Sequence, residues 1–224
     1  MSIVIGPDTP SIAPELIKKV FAVDIPTFGH FLEDGFVDPQ IRRLAGMGKI
    51  VGKAVTVKAA AGDSTLIHYA TSKLTPGDVL VIDTSGDTTH AALGGLLVSA
   101  VVASGAVGVI LDGVCTDIAA LEAAGIAVNA LATTALTNKL LGLNEGGVNV
   151  PVMCGGVTVN PGDLVLGDVN GVLIASAATI ESVVDRAVES DLTEPAMINR
   201  IMNGELLHEL SRAGTLLGNL GVVS

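Results

Sequence analysis

The chain of 224 residues is long enough for one domain with a large core or for two small domains. Hydrophobic residues make up 49% of it and charged residues only 16%, which excludes a disordered chain and suggests that part of the surface is hidden in an oligomer interface. The net charge of −11 disfavours direct binding to the phosphates of nucleic acids.

The cysteines and the N-terminus predict a cytoplasmic protein. Cys115 and Cys154 form no CxxC pair, and the first ten residues do not resemble a signal peptide, so we expect reduced thiols. Residues 91–111 carry no charge and are long enough to span a bilayer. Because glycines and serines interrupt this stretch and Ser104-Gly105 divides it, we expect a buried helix followed by a strand and no membrane contact.

The hydrophobic pattern predicts one α/β domain over residues 1–224, without a linker. An amphipathic helical segment is predicted at 1–45, broken by prolines at positions 10, 14, 26 and 39. Strands are predicted at 51–59, 79–82, 107–111 and 126–130, and helices at 63–72, 88–104 and 118–124, with a loop at 112–117. Helices are predicted again at 179–224, with Thr179 and Thr193 as N-caps.

One stretch of the chain is repeated. The sequence PGDVLVIDTSG, Pro76 to Gly86, recurs as PGDLVLGDVNG, Pro161 to Gly171. Each copy has a Pro-Gly-Asp turn before an apolar strand and an Asp-x-x-Gly sequence after it. Turn aspartates commonly accept hydrogen bonds from nearby backbone amides. We therefore interpret Asp83 and Asp168 as scaffold residues and not as catalytic ones.

The segments between and around the two copies resemble the RraA-like family. VGKAVTV, PGDVLVID, ALGGLL, GVILDGVCTD and VPVMCGGVTVNPGDLVLGDVNGVLI follow one another in the order typical of that family, over about residues 45–205. The family includes regulators of ribonuclease E activity and class II 4-hydroxy-4-methyl-2-oxoglutarate aldolases. The resemblance implies a single-domain β/β/α-type (αββα) sandwich, assembled as a homotrimer or a dimer of trimers, with clefts between subunits.

The resemblance also implies a site, from which this chain departs. The aldolases carry an Asp that positions a water, then 20 residues, then an Arg that holds pyruvate and an Asp that helps to hold a divalent metal. Here the matching residues are Gly95, Thr116 and Asp117, and Ala120 replaces an acidic residue. The resemblance therefore implies a metal ligand at Asp117, with magnesium the expected ion, and weak or absent aldolase activity.

The residues around this motif allow two interpretations each. Gly94, Gly95, Leu96 and Leu97 would bring the free amides of a helix start to an anionic substrate beside Thr116, or the glycines would simply allow close packing. Asp117 suits Mg²⁺ as an oxygen ligand, and it also suits the N-cap of the helix at 118–124.

Three side chains near the motif are poorer candidates. His68 and His90 lie near this region in sequence, but a lone histidine is more often solvated than catalytic. Cys115 has no neighbouring His or Lys to activate it as a nucleophile.

Two main functions remain open from the sequence, beside a weaker third in which residues from two subunits catalyse an unidentified reaction. The first is a metal-dependent carbon–carbon lyase acting on a small oxo acid, with an altered substrate or weak turnover. The second is a non-enzymatic oligomer that binds a partner protein such as a ribonuclease. The loss of the arginine favours the second function, whereas Asp117 and the Gly94-Gly95 loop favour the first.

Overall fold

This computed structural model describes residues 2–221, which contain twelve strands and eight α-helices. The strands are β1 (Val4–Ile5), β2 (Arg42–Ala45), β3 (Ile50–Ala59), β4 (Asp78–Asp83), β5 (Ala91–Leu93), β6 (Gly108–Cys115), β7 (Ala127–Thr133), β8 (Gly146–Val148), β9 (Val152–Cys154), β10 (Val157–Val159), β11 (Leu164–Gly167) and β12 (Val172–Ala175). The helices are α1 (Pro14–Phe21), α2 (Ile25–Phe28), α3 (Thr65–Ala70), α4 (Gly95–Ala103), α5 (Ile118–Ala124), α6 (Ala177–Met202), α7 (Leu207–Leu210) and α8 (Ala213–Asn219).

The centre of the fold is a parallel sheet in the order β3-β4-β6-β7, with β5 pairing in parallel beside β6. β2 closes the edge beyond β7 and runs antiparallel to it. β3 is longer than its neighbours, and its far edge pairs antiparallel with β11 along its first half and with β8 along its second half. β12 continues from β11, while β9 and β10 form a separate hairpin.

Alternating side chains sort the core into layers. Helices α3, α4 and α5 pack Ile67, Val101 and Leu121 onto one face of the parallel sheet. The opposite face packs against β9–β12. On β11, Val165 points into that second core, whereas Leu164 and Leu166 point the other way, toward α1, α2 and α6. The result is a mixed α/β fold in which two β layers lie between two layers of helices, as the family resemblance implies.

The N-terminal segment is less helical than predicted. Within 2–45 only α1 and α2 form, because Pro14 and Pro26 occupy their first turns and the chain between these helices and the sheet is turn and strand. Residues 42–45 pair with β7 and complete the sheet edge as β2. Local amphipathicity could not reveal this pairing, since it depends on a strand more than 80 residues away in sequence.

The uncharged stretch 91–111 is divided as predicted, but with a different beginning. The predicted helix at 88–104 is wrong over its first seven residues, because residues 91–93 pair with β6 as β5 and the helix begins at Gly95. The predicted loop at 112–117 is also wrong in part, since β6 continues through Cys115. No helix of the described residues combines the length and apolar character needed to cross a bilayer.

The C-terminal region contains one long helix where two were predicted. Ser176, not Thr179, is the N-cap of α6, and its hydroxyl accepts the amide of Thr179 at 3.1 Å. The helix continues through Thr193, whose hydroxyl bonds to the carbonyl of Ser190 instead of starting a new helix. α7 and α8 follow, and residues 222–224 lie outside the described part of the chain.

The two repeated stretches flank β3, one as β4 and one as β11, and their opening turns are alike. Asp78 accepts the amide and the hydroxyl of Thr75, each at 2.8 Å. Asp163 accepts the amide of Asn160 at 2.8 Å. The glycine before each aspartate has a φ angle of 89° or 91°, which only glycine adopts without strain.

The exits of the two copies also match. Asp83 accepts the amide of Ser85, and Asp168 accepts the amide of Asn170, each at 2.7 Å. These carboxylates satisfy backbone amides of the turns that follow their strands. These contacts agree with the interpretation of both as scaffold residues, which stays a prediction.

Candidate functional site

A cavity of about 140 Å³ lies at the amino end of α4. Its wall is formed by the ends of β5 and β6, the start of α3 and the segment after β7. The lining residues are Ser64, His68, Ala91, Ala92, Gly94, Gly95, Leu96, Leu97, Thr116, Asp117, Thr137 and Asn138. All six residues predicted as site residues are therefore brought together.

The parallel pairing of β5 and β6 explains why the two halves of the motif meet. Leu93 is the register partner of Cys115, and the amide of Thr116 donates to the carbonyl of Leu93 at 2.9 Å. The next residue on one strand is Gly94 and on the other Asp117. Carboxyl ends of neighbouring parallel strands lie at one sheet edge, where α/β proteins commonly bind ligands.

The carboxylate of Asp117 is fixed across the cavity wall. Its Oδ2 atom accepts the backbone amide of Gly95, the first residue of α4, at 2.9 Å. The backbone of Asp117 is in the left-handed region, with φ of 56° and ψ of 42°, a conformation that Asp tolerates better than most residues.

Asp117 occupies the N-cap position of α5, as predicted, but it does so through its backbone. The side chain makes no capping bond to that helix. Only the backbone carbonyl serves α5, since it accepts the amides of Ala120 and Leu121. The carboxylate instead caps α4, a contact that the sequence does not reveal because the two residues are 22 positions apart.

Both glycines of the motif leave little room for a side chain. A Cβ atom on Gly94 would lie 2.8 Å from Oδ2 of Asp117, and one on Gly95 would lie 3.1 Å from Cβ of Ala120. Close packing therefore accounts for both glycines, and their approach to a ligand stays a prediction. Leu97 is buried and Leu96 is 81% exposed. Both lie in the first turn of α4, where backbone amides have no partner within the helix and can donate to a ligand.

The cavity lacks a permanent positive charge. Of the lining residues only His68 and Asp117 are ionisable, and none is Lys or Arg. Ser64 and Asn138 also line the cavity, although nothing in their sequence context marks them as site residues. They line the cavity because the segment at 137–139 forms isolated bridges with Asp63 and with β5.

The residues present fit a magnesium ion only when waters and a bound acid complete its coordination. Among residues 2–221 there is no group of three or more His, Cys, Asp or Glu that could hold a metal ion. Mg²⁺, however, usually keeps several waters and binds through one or two carboxylates plus substrate oxygens. Asp117 offers its Oδ1 atom for that purpose, since this atom makes only a long contact of 3.5 Å with the hydroxyl of Thr116.

The cysteines are not activated. Burial raises the pKa of Cys115, beside the site, to about 11, and it also raises the pKa of Cys154. Both thiols therefore stay protonated near neutral pH and are poor nucleophiles.

A larger open cleft, of about 570 Å³, lies on another part of the surface. Glu33, Asp34 and Asp163 line it together with residues of β10, β12 and the start of α6. It contains none of the predicted site residues. The smaller cavity is the better candidate because the convergent polar groups lie there.

Comparison with known proteins identifies the family. The model of the RraA-like family, described as Aldolase/RraA, matches residues 22–174. A candidate 4-hydroxy-4-methyl-2-oxoglutarate aldolase from Halalkalibacterium halodurans is 35% identical over 156 residues, which cover 70% of this chain and 73% of that protein. A similar candidate aldolase from Xanthomonas campestris is 33% identical over 150 residues, 66% of this chain and 87% of the relative.

Solved structures agree with the sequence relatives. The RNA-processing inhibitor RraA from Thermus thermophilis is 29% identical, with a TM-score of 0.57 over 62% of this chain and 83% of that one. RraAS2 from Streptomyces coelicolor, a member of the RNase ES inhibitor RraA protein family, shares the fold at 24% identity, with a TM-score of 0.71 over 86% of this chain and 98% of that one. From the family match over residues 22–174 and the fold, we conclude that the chain belongs to the RraA-like family.

Proposed function

We propose that the cavity at the amino end of α4 binds a small oxo acid together with a divalent metal ion, magnesium in the first place, and that its carbon–carbon lyase turnover is weak or directed to a changed substrate. The observation that carries the proposal is the carboxylate of Asp117, which the amide of Gly95 fixes in the cavity wall. A fixed carboxylate beside helix amides offers one group for a cation and others for an anion.

Each part of the cavity has a role in this proposal. The amides of Leu96 and Leu97 belong to the first turn of α4, where backbone N–H groups have no partner within the helix and can donate to a ligand carboxylate. Asp117 would hold the metal ion, which when bound polarises the carbonyl of an oxo acid. The cavity volume of about 140 Å³ suits a ligand of a few heavy atoms better than a large cofactor.

Weak turnover follows from the residues that are missing. Thr116 lines the cavity where the family's aldolases have Arg, and a hydroxyl cannot reproduce the two charge-assisted bonds of a guanidinium. Gly95 has no side chain to position a water. Loss of a charge-assisted contact costs on the order of 2–4 kcal/mol, or about 30- to 1000-fold in rate.

Isothermal titration calorimetry tests the proposed site. Oxalate, as an oxo-acid analogue, should bind the wild type in the presence of Mg²⁺ and more weakly in its absence. Asp117→Asn should abolish the Mg²⁺ dependence, whereas Asp168→Asn, at a turn carboxylate outside the cavity, should leave it intact. A wild-type protein that binds neither Mg²⁺ nor oxalate at millimolar concentration would overturn the proposal.

We also propose that the chain assembles with copies of itself, as a homotrimer or a dimer of trimers. The support comes from the C-terminal arm, which we define as residues 189–221. Nine large apolar side chains are exposed there: Leu192, Met197, Ile198, Met202, Leu206, Leu207, Leu216, Leu217 and Leu220. Exposed apolar surface of this extent is typical of association sites.

A second candidate function is that of a non-enzymatic oligomer that binds a protein partner such as a ribonuclease. The exposed arm favours it, and so does the absence of Lys and Arg from the cavity lining. Mixing the purified chain with ribonuclease E and measuring RNA cleavage tests it. Inhibition of cleavage together with no oxalate binding would support this function over the first.

A further inference from the structure

His68 lies where it can act on a ligand in the cavity. It is on α3, one turn after Ser64, so the two side chains share the helix face that lines the cavity. Ser64 is buried, whereas His68 is exposed and reaches the cavity from its rim. Across the cavity are Asp117 and the amino end of α4.

No Lys or Arg lines the cavity, although Nζ of Lys139 lies 3.4 Å from the hydroxyl of Thr137, a lining residue. Apart from the carboxylate of Asp117, His68 is the one ionisable side chain in the lining. The elements that pack against α3 carry Lys53 and Lys58 on β3, Lys73 on the turn after α3 and Glu145 before β8, but none of these lines the cavity. Lys73 also lies 3.3 Å from the carboxylate of Asp8.

We propose that His68, as an imidazolium, binds the carboxylate group of the acid in the cavity and so determines which anions the site accepts. The inference rests on the proposed function of the same cavity. An imidazolium has N–H donors on both ring nitrogens and a full charge, so it can replace part of what the missing guanidinium provides. A histidine gains or loses this charge near neutral pH, whereas an Arg would not.

The other histidine of this region provides a matched control. His90 precedes β5 but does not line the cavity. Its Nδ1 atom lies 2.9 Å from Oδ2 of Asp87, and that carboxylate also accepts the amide of Gly62 at 2.9 Å. His90 therefore holds a turn together, and its substitution changes the number of histidines without changing the cavity.

The test is calorimetric titration of oxalate at saturating Mg²⁺ between pH 6 and pH 8. Wild type and His90→Gln should bind oxalate about 10-fold more weakly at pH 8 than at pH 6, since loss of a hydrogen bond to a charged group changes affinity by about that factor. His68→Gln should bind about 10-fold more weakly than wild type at pH 6, with little change up to pH 8. His68→Lys should bind well at both pH values.

The outcomes separate this inference from the proposed function. Binding by His68→Gln with wild-type affinity and a wild-type pH profile would overturn the role of His68 and leave the oxo-acid site standing. Absence of oxalate binding in the wild type at every pH would overturn the proposed function, and the role of His68 with it. Equal thermal unfolding of the three variants and the wild type would show that the affinities compare folded proteins.

Discussion

The carboxylate of Asp117 accepts the backbone amide of Gly95 at 2.9 Å and thereby joins the loop before α5 to the first turn of α4. A negative charge at this end of a helix is favourable, because it interacts with the free amides and the helix dipole. The same contact occupies one of the amides that an anionic ligand would otherwise use. A bound acid is left with the amides of Leu96 and Leu97 and with the side chains around them.

Substitutions of Asp117 should separate its structural role from its binding role. Asp117→Asn keeps an oxygen that can accept the Gly95 amide, so the free energy of unfolding should change by less than about 0.5 kcal/mol while Mg²⁺-dependent oxalate binding is lost. Asp117→Ala loses the cap of α4 and also places alanine in the left-handed region, so it should cost about 2 kcal/mol as well. Urea unfolding beside calorimetry checks both. Equal destabilisation by the two variants would contradict the capping role.

Rebuilding the family motif should restore turnover. The double variant Gly95→Asp/Thr116→Arg supplies the side chains that the aldolases have, and oxaloacetate decarboxylation should rise by about 30-fold or more. A Cβ atom at position 95 would lie 3.1 Å from that of Ala120, so some loss of stability is expected. Thr116→Lys, which adds charge without a planar fork, is the matched control and should gain less. A double variant that folds and stays inactive would refute this explanation of the weak site.

Much of the fold could be predicted because local pattern and tertiary packing agree. The strand at 51–59 and the helix at 118–124 were predicted within a residue of β3 and α5, since β-branched alternation and a terminal glycine mark them. Two of the failures lie at β2 and β5. β2 forms because β7 has a free edge, and β5 forms because β6 extends beyond its last pair with β4 at Asp112. Neither the propensity nor the periodicity of these short segments distinguishes them from a helix.

The site was predictable only along one segment of chain. The motif from Gly94 to Asp117 could be located by family resemblance, and the cavity contains it. The positions of Ser64 and Asn138 depend on how α3 and the segment after β7 approach β5, which no local pattern encodes. The bond from Gly95 to Asp117 likewise depends on the register of β5 with β6.

The two repeated turns should differ in stability although their geometry is alike. The carboxylate of Asp78 is buried and lies 3.4 Å from Nζ of Lys53, itself mostly buried. Removal of one partner of a buried pair leaves an uncompensated charge, so Asp78→Ala should cost about 3 kcal/mol. For Asp163, burial raises the pKa, partly offset by hydrogen bonds from Asn160, and no ion pair is lost.

Asp163→Ala should therefore cost only about 1 kcal/mol. Urea unfolding at one fixed protein concentration compares the two variants, because assembly would otherwise shift the midpoints. Similar losses from both substitutions would show that the ion pair with Lys53 contributes little.

The exposed C-terminal arm should determine the assembly state. Light scattering of the wild type should give a mass of three or six chains of 22.5 kDa. Met202→Glu with Leu206→Glu places charges on the exposed apolar side of the arm and should reduce that mass, since a desolvated charge opposes association. Met47→Glu changes a side chain that is 88% exposed on the loop between β2 and β3, and it should leave the mass unchanged. A monomeric wild type at micromolar concentration would contradict this prediction.

Asp63 links the start of α3 to residues 139–143, the largely apolar segment that comes directly after Asn138 of the cavity lining. Burial alone would raise the pKa of Asp63. Hydrogen bonds from Thr65 and from the amides of Leu143 and Leu141 outweigh burial and lower this pKa from 3.8 to about 2. Four donors to one carboxylate are enough for such a shift.

The lowered pKa predicts a specific loss of stability in acid. Since the folded-state value lies below the unfolded one, the stabilisation is complete above about pH 4 and is lost as the pH falls from there through about 2. Asp63→Asn keeps a hydrogen-bond acceptor without the charge. The free energy of unfolding of the wild type should therefore be about 1–2 kcal/mol larger than that of the variant at pH 5, and the difference should be much smaller at pH 2. Urea unfolding at both pH values measures this difference. Asp34→Asn, at an exposed carboxylate, is the control, and its free energy of unfolding should differ from that of the wild type by the same amount at both pH values. If the difference between wild type and Asp63→Asn is also the same at both pH values, the carboxylate of Asp63 does not hold the segment.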